Sequence, residues 1–345
     1  MTPKSDIEIC RDLLRGGSRT FFAASLVLPR SVGDRAVALY AFCRLADDEV
    51  DLGPDNTDAV ARLNRRLAAI YAGQPGSSPA DRCFADVVTR FAIPRELPEA
   101  LLEGLAWDTQ SRRYESLSDL IAYAVRVAGT VGAMMALIME RRDPAVVARA
   151  CDLGIAMQLT NIVRDIGEDA RIGRLYLPLQ WMREAGLDPD DWLANPCFDR
   201  RIGEIARRLL TVADTFYDRA GAGIAALPAA CRPGIQAARL IYAEIGREVE
   251  RAHLDSVSRR AVVPSTRKLR LLAKAAAASL APRRARIDLV QPEALHLIEA
   301  VTAAPPPRAP SSEPRRSVTD RAVWVLDLFE RLERRDQLLR SGRVS

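Results

Sequence analysis

The sequence predicts an all-α protein, and three observations carry that prediction. Alanine and leucine dominate a chain of 345 residues in which aromatic residues make up 6%, a composition that favours helices over a β-rich sandwich or barrel. Apolar residues recur with a 3.6-residue period over long segments, while strand-like alternation is scarce. Turn signals separate those segments: Gly53-Pro54, Gly73–Pro79, Asp143-Pro144, Asp188-Pro189 and Pro228. With 48% hydrophobic and 28% charged residues, the chain can bury a sizeable core.

In chain order, the segment 35–46 sets Val37, Leu39, Tyr40 and Cys43 at helical spacing. Segments 120–139, 145–166 and 201–226 read the same way. Ser118 or Asp119 is placed to cap the helix that follows, and Ser265 to cap a helix over 266–280. These elements predict one helical domain over residues 1–300, packed around a central cavity or core, with no internal repeat at solenoid periods. Residues 301–317, containing TAAPPPRAPSSEPRRS, read as a flexible linker. Residues 318–345 close the chain. Within them, 318–340 can form an amphipathic helix with Trp324, Leu328, Phe329 and Leu332 on one face. That helix either docks back on the body or meets a membrane or partner.

Several function classes are excluded or disfavoured. There are two histidines, His253 and His296, far apart in sequence, so a multi-histidine metal centre is ruled out and a Ser-His-Asp triad is disfavoured. Six cysteines are scattered without a CxxC pair, as in a reduced cytosolic protein without a zinc knuckle or disulfide framework. The opening MTPKSDIEIC lacks the apolar core of a signal peptide. No stretch reaches the roughly 18 consecutive apolar residues of a spanning helix. A cytoplasmic protein is expected, with at most peripheral contact at the inner face of the cell membrane. The net charge of +5 is uneven: residues 251–345 hold 19 Lys and Arg against 10 Asp and Glu. Nearly all of the positive charge is guanidinium, which suits phosphate recognition and equally fits an arginine-rich genome.

The chemistry concentrates in two segments. In YAFCRLADDEVD (residues 40–51), Asp47 and Asp51 are four apart and project from one helical face. The rise between them is about 6 Å, and Asp48 sits beside them. That spacing suits two carboxylates sharing hard divalent cations, since Mg²⁺ prefers one or two carboxylates plus phosphate oxygens and water. Arg44, one turn before Asp48, offers a fork for phosphate. In QLTNIVRDIGEDARIGRLYLP (residues 158–178), Asp165 and Asp169 repeat the spacing, and Asn161 precedes Asp165 by four. Gln158 and Arg164 add polar groups to a run that otherwise reads as core. Acids on such apolar helices are costly unless something pairs with them. Two acidic faces opposed across a pocket could hold several Mg²⁺ ions and a diphosphate.

The four-residue spacing alone proves little. Asp214 and Asp218 share it in DTFYD, and so do Asp51 and Asp55 across Pro54; Asp214 and Asp218 lack a partner set of Arg, Asn and Gln and read as a solvated face. Gly221–Ala226 spells a GxGxxA lookalike, but it follows a helical run and lacks a βαβ setting. The basic stretch 259–270 lacks the interleaved aromatics of a nucleic-acid site, so no nucleic-acid partner is expected.

Four motifs in order, GGSRTFFAASLVLP (16–29), residues 40–51, YAVRVAGTVGAMM (123–135) and residues 158–178, resemble the squalene/phytoene synthase family, and within it the bacterial phytoene-forming branch. The resemblance covers about residues 8–290. It implies a single-domain, isoprenoid synthase-type helical bundle around a central apolar cavity, and head-to-head joining of two prenyl diphosphates with Mg²⁺. Asp47 and Asp51 would form the first metal–diphosphate motif, and Asn161, Asp165 and Asp169 the second. Gly17, Ser18, Arg19, Thr20, Tyr40, Arg44, Asp48, Gln158 and Arg164 would contact diphosphate or order the site. Tyr123 and Tyr242 would lie near the reacting centre, while Gly129 and Gly132 would let a helix bend or pack closely beside prenyl chains.

The resemblance further implies condensation of two geranylgeranyl diphosphates to 15-cis-phytoene through a cyclopropyl (prephytoene) diphosphate. The expected cofactor is Mg²⁺, with Mn²⁺ as a substitute and no NADPH. An upstream prenyl diphosphate synthase and a downstream phytoene desaturase are the implied partners. Two alternatives stay open: a relative using farnesyl diphosphate to make squalene or dehydrosqualene, and a non-catalytic assembly protein of the same fold.

Overall fold

The computed structural model of the chain describes residues 4–17, 27–52, 56–280 and 289–307; the side chains at 17, 51, 52, 56 and 57 lie outside that description. Among the described residues every regular element is helical. The chain runs through α1 (Asp6–Gly17), α2 (Arg30–Leu52), α3 (Asn56–Tyr71), α4 (Pro79–Phe91), α5 (Glu96–Thr109) and α6 (Leu117–Ala124). A single π turn (Val125–Gly129) joins α6 to α7 (Thr130–Ile138). Then come α8 (Pro144–Arg171), α9 (Leu179–Glu184), α10 (Pro189–Ala194), α11 (Arg200–Gly223), α12 (Arg232–Arg251), α13 (Ser265–Leu280) and α14 (Leu295–Ala303).

The helix α8 is the axis. Asp143 starts it by accepting hydrogen bonds from the N–H groups of Ala145 and Val146, and Pro144 fits the first turn. The pair α6–α7 packs on one side of α8, and α11 and α12 on another. Two glycines allow the first contact. A Cβ at Gly132 would fall 2.1 Å from the carbonyl oxygen of Ala150, and one at Gly154 would fall 2.2 Å from that of Ala128. Gly132 therefore packs closely, as expected. Gly129 meets only ordinary contacts and instead ends the π turn that interrupts the helix expected over 120–139.

The cap of α6 is Ser116, not Ser118 or Asp119. Ser116 Oγ accepts from the Asp119 N–H at 3.2 Å, and the Asp119 carboxylate accepts from the Ser116 N–H at 2.9 Å. This reciprocal pair satisfies two backbone donors at once, which is why the start falls earlier than the sequence predicts. Ser265 is the first residue of α13 rather than a residue before it. The last helix runs past residue 300 to Ala303, with Val301 buried in the core. The segment 318–340 lies outside the described residues.

Two stretches, Leu117–Ile138 and Pro144–Arg171, are long and apolar enough to cross a membrane, but 67% of the apolar 18-residue window in each is buried inside the protein. They are core helices. Two consecutive left-handed residues after α12, His253 (φ 57°) and Leu254 (φ 62°), turn the chain back towards α8. There the Gly167 N–H donates to the Ser256 carbonyl at 3.0 Å. A Cβ at Gly167 would lie 2.0 Å from the Val257 oxygen, so only glycine lets this loop dock.

Candidate active site

The face of α2 that carries Tyr40, Arg44 and Asp47 meets the face of α8 that carries Gln158 at a polar opening of about 310 Å³. Asp108 of α5 and Tyr123 of α6 line the same opening. Behind it lies an apolar cavity of about 260 Å³, with Tyr40, Gln158, Asn161 and Tyr242 among its polar lining. Its walls come from Val127, Val131, Met135, Leu153 and Met157, and Met139, Val146, Ile224 and Leu227 also line it. The cavity exists because the π turn and α7 pack on α8 through glycines, whereas α12 contributes Gly234, Ile235 and Ala238.

The two acidic faces differ in setting. Arg44 bridges Asp48 at 2.6 Å and Asp47 at 3.4 Å, and all three are partly exposed. Asp165 is more enclosed: Arg164 donates to it from Nε at 2.7 Å and from Nη2, and Arg260 donates from Nε at 2.8 Å. Burial pushes the Asp165 carboxyl up, but the hydrogen bonds and charges of Arg164 and Arg260 hold it below the usual carboxylate value. Asp169 is shifted the other way, to about 7, by burial first and then by the charge of Asp165. Tyr40 is pushed up to about 12 by burial, with Arg44 opposing. The Tyr123 hydroxyl, on a ring packed between Tyr114 and Tyr176, is raised well above its ordinary value by burial and by Asp108.

Asp47, Asp108, Tyr40, Tyr123 and Gln158 bring oxygen donors to the opening, beside Arg44 and Cys43, and carboxylate and amide oxygens suit a hard cation. The buried Oδ1 of Asn161 has no hydrogen-bond partner, and such an atom is costly to leave unsatisfied. Among the described residues no three His, Cys, Asp or Glu side chains converge on one metal position. The residues present therefore fit a cation held by one or two carboxylates, the Asn161 amide oxygen, water and substrate oxygens.

Of the residues singled out in the sequence, Tyr40, Arg44, Asp47, Gln158, Asn161, Tyr123 and Tyr242 line the opening or the cavity. Asp48 lies with Arg44 in an adjoining crevice that reaches Gly16 at the end of α1. Asp165 and Asp169 follow Asn161 along α8, and Arg164 is bound to Asp165. Ser18, Arg19 and Thr20 lie outside the described residues, as does the side chain of Asp51, whose backbone is in the last turn of α2. Sequence reasoning missed Arg260, absorbed into the basic stretch, and Asp108, a lone acid in WDTQ. Gly167 inside the second motif was the available signal for Arg260, because it marks where the 256–257 loop docks.

The rejected lookalikes lie elsewhere. Asp214 pairs with Arg247 at 2.6 Å and Asp218 with Arg239 at 3.1 Å, on the outside of α11. Gly221–Ala226 is the helical end of α11 and a 3₁₀ turn. Both histidines are exposed, and all six cysteines are free.

A family model described as squalene/phytoene synthase matches residues 14–268. The chain belongs to the squalene/phytoene synthase family. It is 53% identical over 308 residues to a phytoene synthase from Rhodobacter capsulatus, covering 87% of this chain and 91% of the relative. It is 49% identical over 326 residues to a phytoene synthase from Cereibacter sphaeroides, covering 90% and 92%. Among solved structures it is similar to a dehydrosqualene synthase in complex with ligand, at TM-score 0.72 and 29% identity over 79% of this chain and 95% of that one. It is also similar to a squalene synthase from Alicyclobacillus acidocaldarius, at TM-score 0.65 and 25% identity over 72% and 94%. The fold is thus the isoprenoid synthase-type helical bundle.

Proposed function

We propose that this chain is a 15-cis-phytoene synthase, a prenyltransferase of carotenoid biosynthesis that joins two geranylgeranyl diphosphates head to head and releases diphosphate. The observation that carries this reading is the pairing of an apolar cavity with a polar opening, lined by Arg44 and Asp47 of the first motif and by Gln158 and Asn161 of the second, in a chain so similar to relatives named phytoene synthase. Asp47, Asp51, Asn161, Asp165 and Asp169 would hold Mg²⁺, or Mn²⁺ in its place. When bound, the metal supplies positive charge against the diphosphate as the allylic C–O bond breaks.

The chain's own groups do the rest. Arg44, Arg164 and Arg260 stand at the acidic faces, ready to share their charge with diphosphate oxygens. The cavity keeps water from the carbocation, and tyrosine rings at its rim face the cation, each contributing about 0.5–2 kcal/mol. Condensation gives a cyclopropyl diphosphate; a second ionisation and rearrangement follow. The last cation loses a proton to departing diphosphate, with Tyr242 orienting the exchange, so NADPH is not needed.

Incubation with geranylgeranyl or farnesyl diphosphate and Mg²⁺, with and without NADPH, tests this. Phytoene in both geranylgeranyl reactions supports it. Hydrocarbon from farnesyl diphosphate alone, or a product carrying hydride from NADPH, moves the chain to the farnesyl-using or reductive branch. Absence of diphosphate release in all reactions leaves an assembly protein of the same fold.

The substrate is half apolar and the product wholly so, which disfavours release into water. A peripheral position on an anionic membrane, at its cytoplasmic face, follows, reached through the basic last quarter of the chain. A prenyl diphosphate synthase would supply the substrate and a phytoene desaturase take the product. Salt-sensitive liposome binding that survives deletion of 302–345 would assign the anchor to the body rather than the tail.

A further inference from the structure

Asp108 stands at the opening of the cavity without belonging to either acidic motif. Its two oxygens are divided between two phenols: Tyr123 Oη donates to Oδ2 at 2.9 Å and Tyr176 Oη donates to Oδ1 at 2.8 Å. The two rings stack with centroids 5.2 Å apart and planes 22° from parallel. Tyr114 packs 5.1 Å from Tyr123 and 6.1 Å from Tyr176. The cluster draws on four separate segments, α5, the connection from α5 to α6, α6, and the connection from α8 to α9, so no local sequence pattern announces it.

We propose that Asp108 is a positioning residue for the carbocation stage of the reaction: it locks the hydroxyls of Tyr123 and Tyr176, so that Tyr123, backed by the Tyr176 ring, faces the opening with a fixed ring and oxygen lone pairs. The proposal rests on the prenyl-transfer reading above. A phenol has one proton to donate. Once that proton is committed to Asp108, the oxygen offers only lone pairs to anything else, and the ring is held in one orientation. A cation is attracted to both features, and groups fixed beforehand need no reorganisation when charge develops. The diphosphate side is served by a different set, Asp47, Asp48 and Asp165, which are bound to guanidinium groups.

The test is Asp108→Asn in the full chain, assayed with geranylgeranyl diphosphate and Mg²⁺ beside the wild type. The amide keeps one acceptor and loses the other, so one phenol is released. The expected result is a kcat lower by about a hundredfold, with KM and the Mg²⁺ concentration for half-maximal rate changed by less than about twofold. The cyclopropyl diphosphate should accumulate relative to hydrocarbon, and Asp108→Glu should recover part of kcat. Tyr176→Phe deletes a single hydroxyl and should lower kcat in the same sense, by about tenfold; it carries the test should Asp108→Asn fail to fold, as read by its melting temperature. An unchanged kcat in either folded variant, or a loss expressed in KM or in the Mg²⁺ requirement, overturns the inference while a productive wild type leaves the prenyl-transfer reading standing. A wild type that forms no hydrocarbon overturns both.

Discussion

Two helices that pack against each other, α8 and α11, carry the same four-residue aspartate spacing to opposite ends. On α8, Asp165 is enclosed by two arginines one turn after Asn161, whose orphaned oxygen belongs to a residue of the apolar cavity wall, and Asp169 follows a turn later. On α11, Asp214 and Asp218 stand on the surface, each answered by one arginine of α12. Spacing puts two carboxylates on one face; burial and unsatisfied neighbours decide whether that face has a task. Burial is costly for an acid, so the enclosed pair persists only if something else needs it there. The exposed pair costs almost nothing and needs no such reason.

Replacing the acids breaks the comparison most directly. Asp165→Ala or Asp47→Ala should lower kcat/KM for geranylgeranyl diphosphate by about a thousandfold, with melting temperature little changed. Steady-state assays and thermal scans on the same preparations check both halves. Equal losses for Asp165→Ala and Asp214→Ala would mean that the setting of α8 confers nothing.

The packing that places the α8 face can be broken too. A Cβ at Gly154 would fall 2.2 Å from the Ala128 carbonyl oxygen, and backbone cannot move aside as a flexible side chain can. Gly154→Ala should destabilise by about 3 kcal/mol or more, measured by urea unfolding. Gly129→Ala meets only ordinary contacts in the same region, and its helical φ suits alanine; it should be neutral or slightly stabilising.

How much of this was legible differs by kind of feature. The helical class, the long α8 and both acidic faces follow from local periodicity and from residue types close in sequence. Asp108 with its tyrosines does not, because Trp107-Asp108, Tyr123 and Tyr176 meet only after three elements pack. Arg260 reaches Asp165 across 95 positions, through a left-handed turn at His253 and Leu254 that no turn motif announced. The π turn was invisible because its residues keep helical spacing closely enough to read as one helix.

The protonation of the α8 pair gives a sharper, smaller contrast. Asp169 is raised to about 7, by burial and then by Asp165, from an ordinary carboxylate value near 3.8. The folded protein therefore binds this proton more tightly than the unfolded chain does. Its contribution to stability is complete below about pH 4 and is lost as pH rises to about 7 in the metal-free protein. Asp169→Asn should flatten melting temperature against pH across that window. Divalent metal competes with the proton, so Mn²⁺ affinity should rise by up to about tenfold per pH unit below 7. A wild-type curve already flat over that range would remove the basis for treating Asp169 as strained by its neighbours.

The smallest effect is expected on α11, and it gives the comparison its baseline. Asp214 is partly exposed and its partner Arg247 also bridges Glu250 at 3.1 Å. Removing the aspartate therefore leaves the guanidinium paired and hydrated, and an exposed pair of this kind is worth about 0.2–1 kcal/mol. Asp214→Ala should shift the unfolding free energy by no more than that, leave kcat and KM within about twofold of wild type, and leave the Mg²⁺ requirement alone. The residue stands on the outside of α11 with Arg247, so nothing couples it to substrate except α11 itself, whose Ala220 and Gly223 line the cavity wall. A large loss of activity with normal stability would show that α11 transmits its surface charge to that wall, and the division between a working face and a solvated one would then have to be drawn along whole helices rather than around their neighbours.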